Sequence, residues 1–297
     1  MEKFIILLFV NLYLWLINFF IIIGNLYGVF FMDIVGIFKD CFSYPTRNMK
    51  IFVIIGILFV LGNFLDAFDY GLLGIGISSV IEIIFMILSI VINGLILPGY
   101  VLSIIRGTVN GSDVVPSLSL VRNFIDSLKV IIMSIVYMIP IGIILLVSIF
   151  ALNLFELFDS LLFYVNNYGS NYMNYVPDDL LINFGTALLI IGIILMVLGI
   201  LYIIIVYIAQ ARLAKYDSLK SAFQIREIFY DISKIGWGNY IVYLILLCII
   251  IGIFSIIYAI ISALGVFFFI VATFFIYTYL QFFVARSIGL IYKKSLE

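Results

Sequence analysis

The chain has 297 residues, of which 66% are apolar and only 10% charged, with a net charge of −1 and no histidine. A soluble domain carries roughly 25% charged residues. At a mean hydropathy of +1.34 no water-soluble fold can hide this much apolar surface, so an all-α, polytopic membrane bundle is expected. The absence of histidine excludes histidine acid–base chemistry, Ser-His-Asp triads and His metal ligands, and the charge balance gives no nucleic-acid signal.

Seven apolar runs are long enough to span, at roughly 4–31, 51–66, 77–104, 130–155, 180–209, 240–263 and 266–290. Residues 1–31 stand apart from the other six. They lack the short apolar core and small-residue cleavage site of a signal peptide, so they read as an extra N-terminal span. Asn11, Asn18 and Asn25 would give it a polar seam for helix packing. The other reading is a mis-assigned start, with translation beginning at Met32.

Residues 32–297 then read as a six-span domain built from one unit used three times. Each unit opens with an amphipathic segment, near 33–43, 118–129 and 219–235, carrying the pattern apolar-x3-Phe-x-Asp. The copies are Ile34, Phe38, Asp40; Leu120, Phe124, Asp126; and Ile225, Phe229, Asp231. Apolar residues fall at helical spacing in each: Ile34, Ile37, Phe38 and Cys41; Val121, Phe124, Ile125 and Leu128; Ile225, Ile228, Phe229 and Ile232. Such helices are expected to lie in the membrane interface with the apolar face down. A two-span hairpin follows each, and its second span ends in an arginine: Arg106, Arg212 and Arg286.

Within the third span, Ser78, Glu82, Ser89 and Asn93 share a narrow stripe at helical spacing. An acid inside a span is a candidate for an ion or proton path. The plainer reading is preferred: Glu82 reaches the outer interface and Asn93 bonds another helix. Pro140 sits inside the fourth span and can kink it. Residues 156–179 read as a wet outer loop. On the sixth span Ser255, Ala259 and Ala263 form a small-x3-small face for internal helix packing. Cys41 and Cys248 suggest neither a disulfide framework nor a zinc site.

Every Lys and Arg except Lys3 falls at one end of the spans, while the opposite loops carry only acids. The positive-inside rule therefore predicts a plasma-membrane protein with a cytoplasmic C-terminus. The N-terminus lies outside if 1–31 spans, and inside if translation starts at Met32.

Three stretches carry a resemblance: Phe38 to Pro45; Pro98 through Arg106 and Gly111 to Lys129; and Leu219 to Arg226. Together they resemble an archaeal multi-pass membrane family known as domain of unknown function 4013, over about 32–297. The resemblance implies a methanogen-type archaeal membrane protein. It implies no activity and no functional residue.

The leading functional expectation is a non-enzymatic membrane protein that organises lipid or partner proteins at its cytoplasmic face. Its candidate headgroup contacts are Arg106, Arg212, Lys220, Arg226, Lys234 and Arg286, which would attract anionic lipids at ~1 kcal/mol per residue near the surface. A membrane-protein partner or a second copy of the chain is the other partner class. The alternative is a small-solute transporter or channel using the stripe around Glu82. No cofactor, metal or catalytic residue is assigned, and an intramembrane enzyme ranks last.

Overall fold

The computed structural model describes residues 29–65 and 79–297, and among them only helices and turns occur. Most of the expected extra span at 1–31, and Ser78, lie outside the described residues. Six helical stretches among the described residues are long and apolar enough to cross a membrane: Ile34–Gly62, Val80–Val109, Leu120–Ala151, Asp178–Tyr216, Trp237–Ser262 and Val266–Lys293.

The first stretch is helix α1 (Val29–Ser43), a 3-10 turn (Tyr44–Asn48) and α2 (Met49–Gly62). Pro45 sets the turn, and Asn48 restarts the helix by accepting the Ile51 amide on its side chain at 3.2 Å. The second is α3 (Ser79–Ser89), a π turn (Ile90–Gly94) and α4 (Leu97–Val109). Pro98 falls in the first turn of α4, where its missing amide costs nothing. The third is one unbroken helix, α5 (Leu120–Ala151), which runs on through Pro140. Then come α6 (Leu154–Tyr168), α7 (Asp178–Tyr216), α8 (Leu219–Ala222), α9 (Ile225–Ile235) and α10 (Trp237–Ser262). The last stretch is α11 (Val266–Ala272), a second π turn (Thr273–Tyr277) and α12 (Thr278–Lys293).

The chain divides into two compact units, Met1–Ile131 with Tyr207–Glu297, and Ile132–Val206. In the larger unit α12 packs along α4 and α1. Close approach is possible because Gly289 faces Thr108 and Gly56 faces Phe274, leaving no room for a Cβ at either glycine. Phe38 stacks between Tyr243 and Phe283, at 5.7 and 5.9 Å between ring centres. In the smaller unit residues 156–179, expected as a wet outer loop, are largely helical. Here α6 and the start of α7 line a cleft of about 420 Å3 with Asn153, Glu156, Ser160, Asn183 and Thr186. Tyr168 stacks on Tyr175 at 4.0 Å.

Three further expectations change. The segment near 118–129 is no separate interfacial helix but the first three turns of α5. That helix has 32 residues and is about 48 Å long, so it overruns the ~30 Å hydrocarbon layer. The apolar face of α1 does not lie on an interface: Ile34, Ile37, Phe38, Cys41 and Phe42 are all buried in protein. Finally, Ser255, Ala259 and Ala263 are exposed, because α10 packs through Tyr240, Tyr243, Leu247, Ile250 and Phe254 instead.

Candidate functional site

The three opening segments present one common face to the protein. In α1 it is Ile37, Asp40 and Cys41, continuing to Tyr44 in the 3-10 turn. In α5 it is Asn123, Asp126, Ser127 and Val130, and in α9 Ile228, Asp231, Ile232 and Ile235. These fall at i, i+3, i+4 and i+7, one side of a helix. The repeated aspartate therefore points inward. In α5 and α9 the repeated Phe points out: Phe124 and Phe229 are exposed, whereas Phe38 is buried. The apolar stripe Val121, Phe124, Ile125 and Leu128 faces away from the protein. A carboxylate on a buried face requires a cation.

Each aspartate finds one in the arginine that ends the preceding hairpin. Arg106 grips Asp126 with both terminal nitrogens, at 2.7 and 3.1 Å. Arg212 binds Asp231 at 2.5 Å. Arg286, which ends the last hairpin, binds Asp40 of the first unit at 2.7 Å. The first two pairs are near in sequence, 20 and 19 residues apart, and the third spans 246. Numbered by their aspartates, the clasps on Asp40, Asp126 and Asp231 are the first, second and third; they join the units head to tail, and the first, made by Arg286, closes the cycle.

Every clasp has further partners. Arg286 also donates to the Ser112 carbonyl at 2.7 Å and to Asp113 at 2.6 Å, and lies over the Tyr44 ring at 4.8 Å. Arg47 pairs with Asp40 and, at 3.6 Å, with Asp113. Arg106 donates to the Ala214 carbonyl at 3.2 Å and to Asp217 at 3.2 Å. Asp217 collects two more cations, Lys129 at 2.7 Å and Arg122 at 3.3 Å. Arg212 instead takes neutral partners, the Ser221 carbonyl at 2.9 Å and the Gln224 side chain at 3.0 Å. Planar guanidinium forks suit this multiple recognition.

The outer carboxylates are held charged. The Lys129 ammonium, bonded to Asp217, pulls that carboxyl below the ordinary aspartate range, with Arg106 and Arg122 adding to the effect. The bond from Arg286 does the same for Asp113. The backbone locks the second clasp as well. The Gly99 amide, at the start of α4, donates to the Ser127 hydroxyl at 2.7 Å. A Cβ at Gly99 would collide with the Asn123 carbonyl, so only glycine fits there.

The sequence-derived candidates separate into two groups. Arg106, Arg212 and Arg286 are engaged in the clasps. Lys220, Arg226 and Lys234 are exposed on α8 and α9. Glu82 is exposed in the first turn of α3, and Ser89 and Asn93 are half-buried. Asn93 donates to the Gly62 carbonyl at 2.9 Å and faces Asn63 at 3.4 Å, so it joins the π turn to α2. The residues not singled out from sequence are Asp113, Asp217, Arg47, Arg122 and Lys129. One signal was available: an aspartate follows two of the three arginines within seven residues. Among the described residues, no group of three His, Cys, Asp or Glu side chains could hold a metal ion.

Among the described residues, six helical stretches long and apolar enough to cross a membrane define a multi-pass helical membrane protein. The chain belongs to the family described as protein of unknown function (DUF4013), which matches residues 82–263. That range holds Arg106, Asp126, Arg212 and Asp231, and stops short of Asp40 and Arg286. No curated protein and no solved structure matches the chain.

Proposed function

We propose that the protein is a non-enzymatic scaffold of the plasma membrane that gathers anionic lipid at its cytoplasmic face. The observation that carries this reading is the division of α9 into two faces. Ile228, Asp231, Ile232 and Ile235 are buried, while Ile225, Phe229 and Tyr230 are exposed together with Arg226 and Lys234. Trp237, stacked on Phe229 at 5.8 Å, extends the exposed aromatic surface. Lys234 lies over the Tyr230 ring at 5.2 Å. Aromatic residues flanked by basic side chains are what a headgroup layer accepts, with rings at the lipid boundary and cations at the phosphates. The positive-inside rule puts this end in the cytoplasm.

Native mass spectrometry from nanodiscs containing phosphatidylglycerol tests the reading. Retained phosphatidylglycerol, lost in the Lys220→Gln, Arg226→Gln, Lys234→Gln triple variant, supports it. Equal retention by wild type and triple variant rejects it.

A second reading, solute transport, draws on one observation: the second and sixth candidate spans are interrupted by π turns, at Ile90–Gly94 and Thr273–Tyr277. Interrupted helices often border solute sites in transporters. Solute flux into liposomes that is lost in both Glu82→Gln and Asn93→Leu would favour it over the scaffold.

A further inference from the structure

We propose that the outer position of the second clasp, where Asp217 sits, is an exchangeable anion subsite. A phosphate-bearing group, from a lipid headgroup or free in water, displaces Asp217 from Arg106, Arg122 and Lys129. The proposal deepens the reading above, since it rests on the basic end engaging anionic groups, but it names a different set of residues.

Four observations converge on it. First, three cations meet on one carboxylate, and Asp217 is 47% exposed while Asp126 beneath it is 2% exposed. Asp126 occupies both terminal nitrogens of Arg106. When Asp217 leaves, three positive charges therefore remain around one buried carboxylate. Second, Asp217 is delivered by the short connection between α7 and α8, at φ 53°. This is the left-handed region that L side chains other than Asn and Asp avoid. Asp adopts this conformation readily, and its side chain is carried by the two-residue connection 217–218 rather than by a helix face.

Third, the donors match the chemistry. The Nη2 group of Arg106, the Arg122 guanidinium and the Lys129 ammonium converge on a single oxyanion, and a phosphate accepts more bonds than the two oxygens of Asp217. Fourth, the three clasps form a graded series. In the first, Asp113 holds the equivalent outer place between Arg286 and Arg47 and is 78% exposed. In the third, among the described residues, Arg212 has no second carboxylate beside Asp231. Arg212 is satisfied by Asp231, Gln224 and the Ser221 carbonyl, and both members of the ion pair are buried. The third clasp is therefore an internal control.

The test uses the full chain in phosphatidylcholine nanodiscs, titrated with inorganic phosphate by calorimetry. A parallel arm replaces the phosphate with phosphatidylglycerol in the nanodisc, read by native mass spectrometry. Neutralising the competing carboxylate with Asp217→Asn should raise affinity roughly fivefold or more in at least one arm. Adding Arg122→Gln and Lys129→Gln should abolish that gain, and Asp231→Asn should give no gain. A gain confined to phosphatidylglycerol assigns the headgroup as the source, and a gain with inorganic phosphate assigns the free ion. Absence of gain in both arms overturns the proposal, as does a gain that survives loss of Arg122 and Lys129. Folding is followed by thermal unfolding of each variant, and Asp217→Asn alone, at an exposed side chain, keeps the test intact if the triple variant unfolds. The Lys220, Arg226, Lys234 triple variant separates the two ideas. It should lose lipid on the scaffold reading while retaining the gain from Asp217→Asn.

Discussion

The second and third clasps use the same two residue types at nearly the same spacing, yet their surroundings differ. Arg212 and Asp231 keep 6% and 10% of their side-chain surface, and the remaining partners are neutral. Arg106 shares its charge between a sealed carboxylate and an exposed one, with Arg122 and Lys129 alongside. The difference teaches that sequence repetition fixes the pairing but burial fixes its consequence. A sealed pair tolerates no missing member, because the survivor is left as an uncompensated charge. An open pair has substitutes, in neighbouring side chains, water or ligand.

The largest effect should therefore come from Asp231→Ala, which strands Arg212. Losing one member of a buried pair costs about 3–5 kcal/mol, read as a drop in thermal unfolding temperature in detergent. Replacing both members, Arg212→Met with Asp231→Leu, should recover most of that loss. If the double variant is no better than the single, the pair is not acting through stranded charge. At the second clasp Asp126→Ala should cost less, about 2 kcal/mol, because Asp217 still partners Arg106. Equal losses at the two clasps would erase the distinction between them.

Much of this architecture was legible in the sequence, and the residues show where legibility ended. Six of the seven apolar runs fall on candidate spans among the described residues, since length and hydropathy alone decide whether a helix can cross, and the run at 4–31 lies largely outside those residues. The pattern ending in Asp40, Asp126 and Asp231, and the arginines Arg106, Arg212 and Arg286, were visible as repeats. Their pairing was not. The apolar residues of each opening segment suggested a helix lying on lipid, with no role for the aspartate. In α5 the buried side is Asn123, Asp126 and Ser127, and the apolar stripe turns outward. Periodicity finds two faces but cannot say which one meets protein when the outside is lipid, because lipid is as apolar as a core. The closure of Arg286 on Asp40 is a contact across most of the chain, with no local signature at all. Asp113 and Asp217 lie in connections with no periodicity, and their one mark in the sequence is their place seven and five residues after Arg106 and Arg212.

Smaller effects sharpen the contrast at the outer carboxylates. Asp217 is about half exposed, so its bonds to Lys129, Arg122 and Arg106 are screened, and Asp217→Asn should cost no more than about 1 kcal/mol at neutral pH. The sign of its pH dependence follows from the lowered pKa of Asp217. The folded protein holds this carboxyl ionised more strongly than the unfolded chain does. The contribution is fully present above the ordinary aspartate value of 3.8. It is lost as pH falls through the lower folded value. Thermal unfolding should show a wild-type loss below about pH 4 that is diminished in Asp217→Asn, with parallel curves between pH 5 and 8. A difference that appears near neutrality would mean that some other group carries the dependence.

The smallest effect should be at Glu82, the acid that the sequence alone made most conspicuous. It sits exposed in the first turn of α3, where a negative charge near the helix start is mildly favourable. Glu82→Gln removes that charge and keeps the shape, so stability should change by no more than about 0.5 kcal/mol. The same unfolding measurement used for Asp231→Ala checks it. A loss as large as that at the sealed clasp would mean that Glu82 pairs with a group deep in the bundle, and would move the ionic centre of the molecule from the basic end to α3. A change within the expected range would leave the buried aspartates, rather than the lone acid of the span, as the charges on which the fold depends.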